Sequence, residues 1–224
     1  MTFVLGWFTL QYKVAGDMNE LGNLNKALGD ISSIRRQMAQ STEFRGYGPA
    51  TLVSTGVLAV AAAGTQEIWL ADPASHIGAY LTLWIATAVV SAALIGTEMY
   101  ARTRRIHSGM ADEMIRMAVE QFWPSAAVGG LLTLVLVRAV PGAVWMLPGL
   151  WQVVFSLGVF SSCRFLPRPM AVAGAWYLLT GLSTIALGDN RALSPWTMGI
   201  AYGAGQAIVA GILFFRKREA GDES

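Results

Sequence analysis

The fold is decided by residues 79–100, which read AYLTLWIATAVVSAALIGTEMY and contain a single charged side chain, Glu98. A helix needs about 20 mostly apolar residues to cross the hydrocarbon of a bilayer. This stretch predicts such a helix, because the bilayer interior has no water to satisfy an open backbone. Five other stretches share this character, and the six predicted spans are 50–70, 79–100, 123–140, 144–163, 170–187 and 195–215.

The composition of the chain agrees with a membrane protein. Only 13% of the residues are charged, 54% are hydrophobic and the mean hydropathy is +0.47, whereas soluble domains carry about 25% charged residues. We therefore expect an all-α, polytopic transmembrane bundle of about six helices, with the lipid bilayer as its first partner. The net charge of +2 gives no reason to expect direct binding of nucleic acid.

The basic residues predict the orientation of the bundle. Only two of the 16 Lys and Arg residues, Arg138 and Arg191, fall in the connections on one side of the predicted spans. Because cytoplasmic connections carry the excess of Lys and Arg, we expect both termini in the cytoplasm. The predicted organisation is an extension at 1–17, an amphipathic helix and linker at 18–45, a six-helix transmembrane domain at 46–218 and a tail at 219–224.

The region before the first span has its own pattern. Residues 1–17 are either an interfacial segment or an over-extension of a chain that starts at Met18, and both alternatives stay open. The segment 19–39 has apolar residues at helical spacing, which predicts an amphipathic helix. The residues of this stripe, which we interpret as a partner-binding surface, are Leu21, Leu24, Leu28, Ile31 and Met38. The stripe must bury against the bundle, the membrane surface, a second copy or another protein.

Two stripes of small residues at four-residue spacing predict contacts between helices. In membranes, helices associate where small side chains allow a close approach of their backbones. These predicted packing residues are Ala88, Ala92 and Gly96 in the second span, and Gly199, Gly203, Ala207 and Gly211 in the sixth. The alternative for the sixth span is a helix break at 203–205 that lines a substrate path.

A search for chemistry gives few candidates. The two histidines, His76 and His107, fall on opposite sides of the predicted membrane, and no metal, phosphate-loop or nucleophile motif is present. We therefore expect no catalytic residues, no metal and no cofactor.

Charged and polar groups within the spans are few. Glu67 and Arg138 lie near the same end of their spans and are a candidate ion pair. The polar groups nearest the predicted midplane are Gln206, Tyr202 and Tyr177, with Gln152 nearer the outer face.

Three stretches carry a family resemblance: IRRQMAQSTEFRGYGP at 34–49, PGLWQVVFSLG at 148–158 followed by CRFLPRP at 163–169, and LSPWTMG at 193–199. From about residue 30 to its end, the chain resembles a group of bacterial multi-pass inner-membrane proteins of unassigned function, which are often encoded beside small winged-helix regulators. The resemblance implies a location in the inner membrane and a regulatory or accessory role, and it supplies no catalytic residues.

Three functions follow from these observations. The first is a non-enzymatic accessory subunit that engages a protein partner, a larger membrane complex or a second copy through the stripe at 19–39. The second is a small-molecule transporter or sensor with a site near Gln206 and Gln152. The third is an intramembrane enzyme, which would require Glu67, His76 and Asp189 to converge on one site.

Overall fold

The computed structural model describes residues 48–106, 111–163 and 169–222, and within these ranges all regular structure is helical. The all-α prediction is therefore confirmed for the described residues. The N-terminal extension at 1–17 and the amphipathic helix and linker at 18–45 precede this part of the chain and lie outside it. The six α-helices are α1 (Pro49–Trp69), α2 (Ile77–Ile106), α3 (Ala111–Ala139), α4 (Leu147–Ser162), α5 (Met170–Ala186) and α6 (Pro195–Asp222).

Two short 3-10 helices complete the described elements. They cover Pro141–Met146, directly before α4, and Asn190–Leu193, directly before α6. Three connections, 70–76, 140–146 and 187–194, join the helices at one end of the bundle, which we call the upper end. The N-terminus of α1 and the C-terminal part of α6 lie towards the opposite, lower end.

Four described segments are long and apolar enough to cross a membrane: Ile77–Ala101, Val119–Ala139, Pro141–Ser162 and Pro195–Phe215. They correspond to four of the six predicted spans. The fifth predicted span, α5, is apolar but has only 17 residues, about 25 Å at the helical rise, against about 30 Å of hydrocarbon. The first, α1, has 21 residues, among them Ser, Thr, Gly and Gln side chains that lower its apolar character.

The start of α3 differs from the expected start of the third span. We predicted the span from residue 123 with Pro124 at a helix start, where proline is well tolerated, and we interpreted residues 109–122 as a juxtamembrane extension of that span. The helix instead begins at Ala111, and Pro124 lies inside it. An internal proline removes one backbone hydrogen bond. The helix nevertheless runs through Pro124, so the charged segment before the span and the span itself form one helix.

Two helix pairs form the compact part of the bundle, α1 with α6 and α4 with α5. Both pairs approach closely through glycines. A Cβ at Gly149 would lie 2.6 Å from the Gly181 carbonyl oxygen, and one at Gly199 would lie 2.5 Å from the Cβ of Ala63. We call α1/α6 and α4/α5 the glycine-packed pairs, and this mode of contact is the usual one between membrane helices.

The helices α2 and α3 are peripheral. In the most apolar window of α3 none of the residues is buried, and in that of α2 only 11% are, against 44% for the span that contains α4. Helix α2 packs mainly on α1, and α3 packs mainly on α4. Near the upper end, however, Tyr80 and Trp84 of α2 belong to a buried cluster with Ala63 of α1 and Met198 of α6, so the core extends from the glycine-packed pairs to this end of α2.

Candidate binding site in the helix bundle

One buried glutamine has hydrogen-bond partners at both ends of its amide. Gln66 of α1 is 1% exposed. Its Nε2 donates to the Leu193 carbonyl oxygen at 2.7 Å, and its Oε1 accepts from Nε1 of Trp84 at 2.7 Å. Gln66 thereby joins α1 to α2 and to the 3-10 helix before α6, and neither end of its amide is left for a ligand.

Two other tryptophans make similar contacts between helices. Trp176 of α5 donates its Nε1 proton to the Ala201 carbonyl of α6 at 2.8 Å. Trp151 of α4 donates to the Thr133 hydroxyl of α3, also at 2.8 Å. These bonds hold neighbouring helices in register, and their donors are satisfied.

Four buried side-chain atoms within the described residues lack any hydrogen-bond partner. They are the hydroxyls of Tyr80 and Tyr177 and the Oε1 atoms of Gln152 and Gln206. Tyr80, Gln152 and Tyr177 have no exposed surface, and Gln206 has 9%. Each buried polar atom without a partner costs about 1–3 kcal/mol, and native proteins keep few of them. All four lie in one small bundle.

Two of the unpartnered atoms lie around Met198 of α6. Gln152 of α4 donates from Nε2 to the Thr197 carbonyl at 3.0 Å, and the same nitrogen lies 3.8 Å from the Met198 sulfur. These contacts orient the amide, so its oxygen is the unpartnered end. Tyr80 of α2 belongs to the same buried cluster as Met198. We call Tyr80 and Gln152 the upper pair.

The other two unpartnered atoms lie farther along α6. Tyr177 of α5 packs its phenol directly on Gly205, where any Cβ would overlap the ring. The next residue, Gln206, lies near the Tyr177 hydroxyl without meeting the geometry of a hydrogen bond. We call Tyr177 and Gln206 the lower pair.

Tyr202 lies between the two pairs, one helical turn from Met198 and one from Gln206. Its ring centroid is 5.3 Å from that of Tyr177 and 5.5 Å from that of Phe155, and the last two are 4.7 Å apart. Tyr202 nevertheless keeps accessible surface, whereas Tyr177 has none. Tyr202 is therefore the tyrosine of this aromatic group that an added molecule could contact.

We call these side chains together the polar ladder, which consists of Tyr80, Gln152, Tyr177, Tyr202 and Gln206. The eight residue steps from Met198 to Gln206 correspond to about 12 Å along a helix, from near the upper end to the middle of α6's apolar segment. The buried polar side chains of the described residues are uncharged: Thr55, Gln66, Gln152, Ser156, Thr184 and Gln206. The polar ladder is thus electrically neutral.

The polar ladder also lies on the seam between the glycine-packed pairs. Gln152 and Tyr177 belong to α4/α5, whereas Tyr202 and Gln206 belong to α1/α6. Tyr80 comes from α2, which packs on α1. A molecule bound at the polar ladder would therefore contact both pairs at once.

Four members of the polar ladder were among the polar groups that the sequence places near the membrane interior. Tyr80 was not, because it stands in the first turns of its span, where tyrosines ordinarily mark the membrane interface. Its full burial against Met198 and Trp84 is a result of packing between α2, α6 and the upper connections. No local sequence signal distinguishes it from an interfacial tyrosine.

The charged candidates do not converge. Glu67 and Arg138 are both exposed, and no ion pair joins them within the described chain. His76 faces the Asp72 carbonyl at 3.3 Å, and Asp189 pairs with Arg191 at 2.9 Å. Among the described residues, no three His, Cys, Asp or Glu side chains are grouped so that they could hold a metal.

The carboxylates of the upper connections have local partners. The pKa of Asp72 is held below its usual value, first by a hydrogen bond from the Ser75 hydroxyl and then by one from the Ser75 backbone. The pKa of Asp189 is lowered by Arg191, which donates to it from both its side chain and its backbone. These contacts order the connections and are separate from the polar ladder.

The predicted packing stripes are only partly engaged within the chain. Gly199 and Gly203 lie against α1, next to Ala63 and Val60. Farther along the same stripe, Ala207 is exposed and a Cβ at Gly211 would meet open space.

The stripe on α2 makes no such contact with the residues that the structure describes. Ala88 and Ala92 are exposed, and a Cβ at Gly96 would likewise meet nothing within 4 Å. The partner-binding stripe at 19–39 lies outside the described residues.

Comparison with protein-family models, curated proteins and solved structures finds no match for this chain. The polar ladder is therefore the feature from which a function is inferred.

Proposed function

We propose that this chain is a multi-pass inner-membrane protein that binds a small molecule in the core of its bundle, as a transporter or sensor does. In this proposal all six helices span the membrane, with both termini in the cytoplasm. The packing of α1 on α6 and of α5 on α4 supports six spans, because each shorter or less apolar helix pairs with a long apolar one. The Lys and Arg distribution supports the orientation.

The observation that carries the proposal is the set of four unpartnered polar atoms in the polar ladder. At this depth the bilayer supplies no water, so each atom must find a partner inside the protein or stay unsatisfied. Bundle cores are where ligand sites are built from side chains of facing helices. An occupant with hydrogen-bonding groups would satisfy the four atoms and recover their desolvation cost.

The seam position of the polar ladder supports transport or sensing over catalysis. Each glycine-packed pair is held by close contacts. The seam between the pairs is bridged by the Trp176–Ala201 and Gln152–Thr197 hydrogen bonds, and it also contains the unsatisfied groups. A ligand that bridges the seam changes the relative stability of different arrangements of the two pairs, which is how binding is coupled to a conformational signal. The polar ladder contains no carboxylate, cysteine or histidine that would act as a base or nucleophile.

The test is a ligand screen by thermal stability. The purified full chain in lipid nanodiscs would be melted with a library of metabolites, and we expect at least one compound to raise the Tm in proportion to its concentration. Gln206→Met should abolish that shift. The matched control is Gln121→Met, because Gln121 lies outside the polar ladder and donates to the Ser161 hydroxyl at 2.6 Å. A broad library that leaves the Tm unchanged would contradict the proposal.

The accessory-subunit function remains a second proposal, supported by the apolar stripe Leu21, Leu24, Leu28, Ile31 and Met38. A helix with such a stripe gains stability only by covering it. Leu24→Asp combined with Leu28→Asp should release a partner that co-purifies with the intact chain from native membranes. The matched control is a double substitution on the polar face, Asn25→Asp with Lys26→Asp, which should retain the partner.

A further inference from the structure

We infer that the ligand of the polar ladder is a small neutral molecule that combines an aromatic ring with a hydrogen-bond donor. This inference rests on the proposed function and names the ligand's chemical class. Three properties of the site carry it: the type of the unpartnered atoms, the absence of buried charge and the aromatic walls. Each property restricts the ligand independently.

The requirement for a donor comes from Gln152. Its Nε2 is committed to the Thr197 carbonyl at 3.0 Å, so the buried Oε1 is the free end of the amide. An amide oxygen only accepts hydrogen bonds. The Tyr80 hydroxyl, which belongs to the buried cluster around Met198, both donates and accepts and adapts to whichever role the ligand leaves open. A ligand that offers only acceptors would leave Gln152 unsatisfied.

The requirement for neutrality comes from the surroundings. The buried polar side chains of the described residues include no Lys, Arg, Asp or Glu. An anion would accept hydrogen bonds from the tyrosine hydroxyls, but it would also meet the amide oxygens of Gln152 and Gln206 and the negative faces of aromatic rings, with no positive charge to balance it. A cation would find oxygens and ring faces but no counter-charge, and an uncompensated charge near the bilayer centre is costly.

The preference for a ring comes from the side chains that separate the upper and lower pairs. Phe155 meets both Tyr177 and Tyr202 edge to face, and the Tyr177 and Tyr202 rings are tilted by 46°, with centroids 4.7 to 5.5 Å apart. Only Tyr202 and Phe155 keep accessible surface. Aromatic groups favour offset or edge-on contact with another ring, so a ligand ring beside Tyr202 extends this arrangement. From there its donor points towards the upper pair.

The experiment compares four simple probes on the purified full chain in nanodiscs, with saturable binding measured by calorimetry against empty nanodiscs. Phenol has a ring and a donor, whereas anisole has the same ring and oxygen without the donor. Benzylammonium and benzoate add a positive and a negative charge. We expect phenol to bind about tenfold tighter than anisole, the ratio that one buried hydrogen bond supplies, and the two ions to show no saturable binding.

Three variants assign the effect to the polar ladder. Gln152→Met should bring the phenol-to-anisole ratio close to one. Tyr80→Phe, which removes a single buried oxygen and keeps the ring, should also lower the ratio and serves as a check that does not depend on repacking. Gln66→Met is the matched control, since both ends of the Gln66 amide already have hydrogen-bond partners. The folded fraction of this variant should keep the phenol-to-anisole affinity ratio of the wild type.

The outcomes separate the inference from the proposed function. Equal affinity for phenol and anisole, or tighter binding of either ion, would overturn the inferred ligand class while leaving a ligand site in place. The same holds if the metabolite screen yields a ligand that none of the four probes resembles. If neither the screen nor any probe shows saturable binding, the proposed function itself fails.

Discussion

Gln66 and Gln152 are two buried glutamines of one helical bundle, and they differ only in what surrounds them. Gln66 is bonded at both ends of its amide and joins three elements, whereas Gln152 is bonded at one end and leaves its oxygen without a partner. Inside a membrane the first arrangement stabilises the fold and the second weakens it. The comparison teaches that a polar residue in a span is a structural contact or a candidate site according to its partners.

The largest loss of stability is expected where a side chain with a full set of hydrogen bonds is removed. Gln66→Leu takes away both hydrogen bonds and leaves the Trp84 Nε1 and the Leu193 carbonyl unpartnered in the core. We expect it to lower the free energy of unfolding by about 3 kcal/mol, roughly the cost of two orphaned buried groups. Unfolding by detergent titration in bicelles would measure it. A Gln66→Leu protein as stable as the wild type would remove the distinction between the two glutamines.

A somewhat smaller effect is expected within a glycine-packed pair. Gly149→Ala places a methyl group 2.6 Å from the Gly181 carbonyl, and forced overpacking of this kind costs about 2 kcal/mol. The matched control is Gly129→Ala in α3, where a Cβ meets nothing within 4 Å and the helix should be as stable or slightly more stable. Equal Tm values for the two variants would argue against rigid pairs on either side of the seam.

A gain in stability, in contrast to these losses, is expected from a substitution in the polar ladder. Tyr177→Phe removes a buried hydroxyl that has no partner, so the ligand-free protein should gain about 1 kcal/mol of stability. The ligand-induced rise in Tm should shrink in the same variant. Tyr100→Phe is the control, because Tyr100 is 52% exposed and its hydroxyl is not part of the buried set. A loss of stability in Tyr177→Phe would mean that the hydroxyl is satisfied in the membrane.

The smallest effect is expected in the exposed upper connections. The pKa of Asp72 is below its usual value because its carboxylate accepts hydrogen bonds from Ser75. Its contribution is therefore complete above about pH 4, the usual carboxylate range, and is lost as the pH falls through the lower pKa of the folded state. Asp72→Asn should remove this part of the acid sensitivity, seen in melts between about pH 2 and 6. An unchanged pH profile would show that the turn does not respond to this charge.

Much of the fold could be predicted from local patterns. The apolar stretches locate the helices, and the four segments that meet the length and composition required of a span all lie within predicted spans or extend them. The prediction was weaker at Pro124, which marked a helix start by local rules but lies inside α3. A proline is compatible with both positions, and only the continuation of the helix before it decides between them.

The candidate site was predictable in part. The position of Gln206, Tyr202 and Tyr177 near the middle of their spans follows from counting residues along helices. The role of Tyr80 does not, because its burial depends on Met198 and Leu193, which are more than 110 residues away in the sequence. The pairing of Glu67 with Arg138 was inferred from similar depth, and depth alone does not make two helices neighbours.

The sequence by itself determined that the helices are apolar enough for a bilayer, where they approximately begin and end, and that the described core has few charged residues to bury. These features follow from composition and local periodicity. Tertiary structure alone decided which glycines pack, which polar groups are satisfied and where the polar ladder runs. The amide of Gln66 donates to a carbonyl 127 residues away in the sequence. The amide oxygen of Gln152 has no hydrogen-bond partner among the described residues. Hydrogen-bond satisfaction is a property of pairs of distant atoms, and it exists only once the helices have packed.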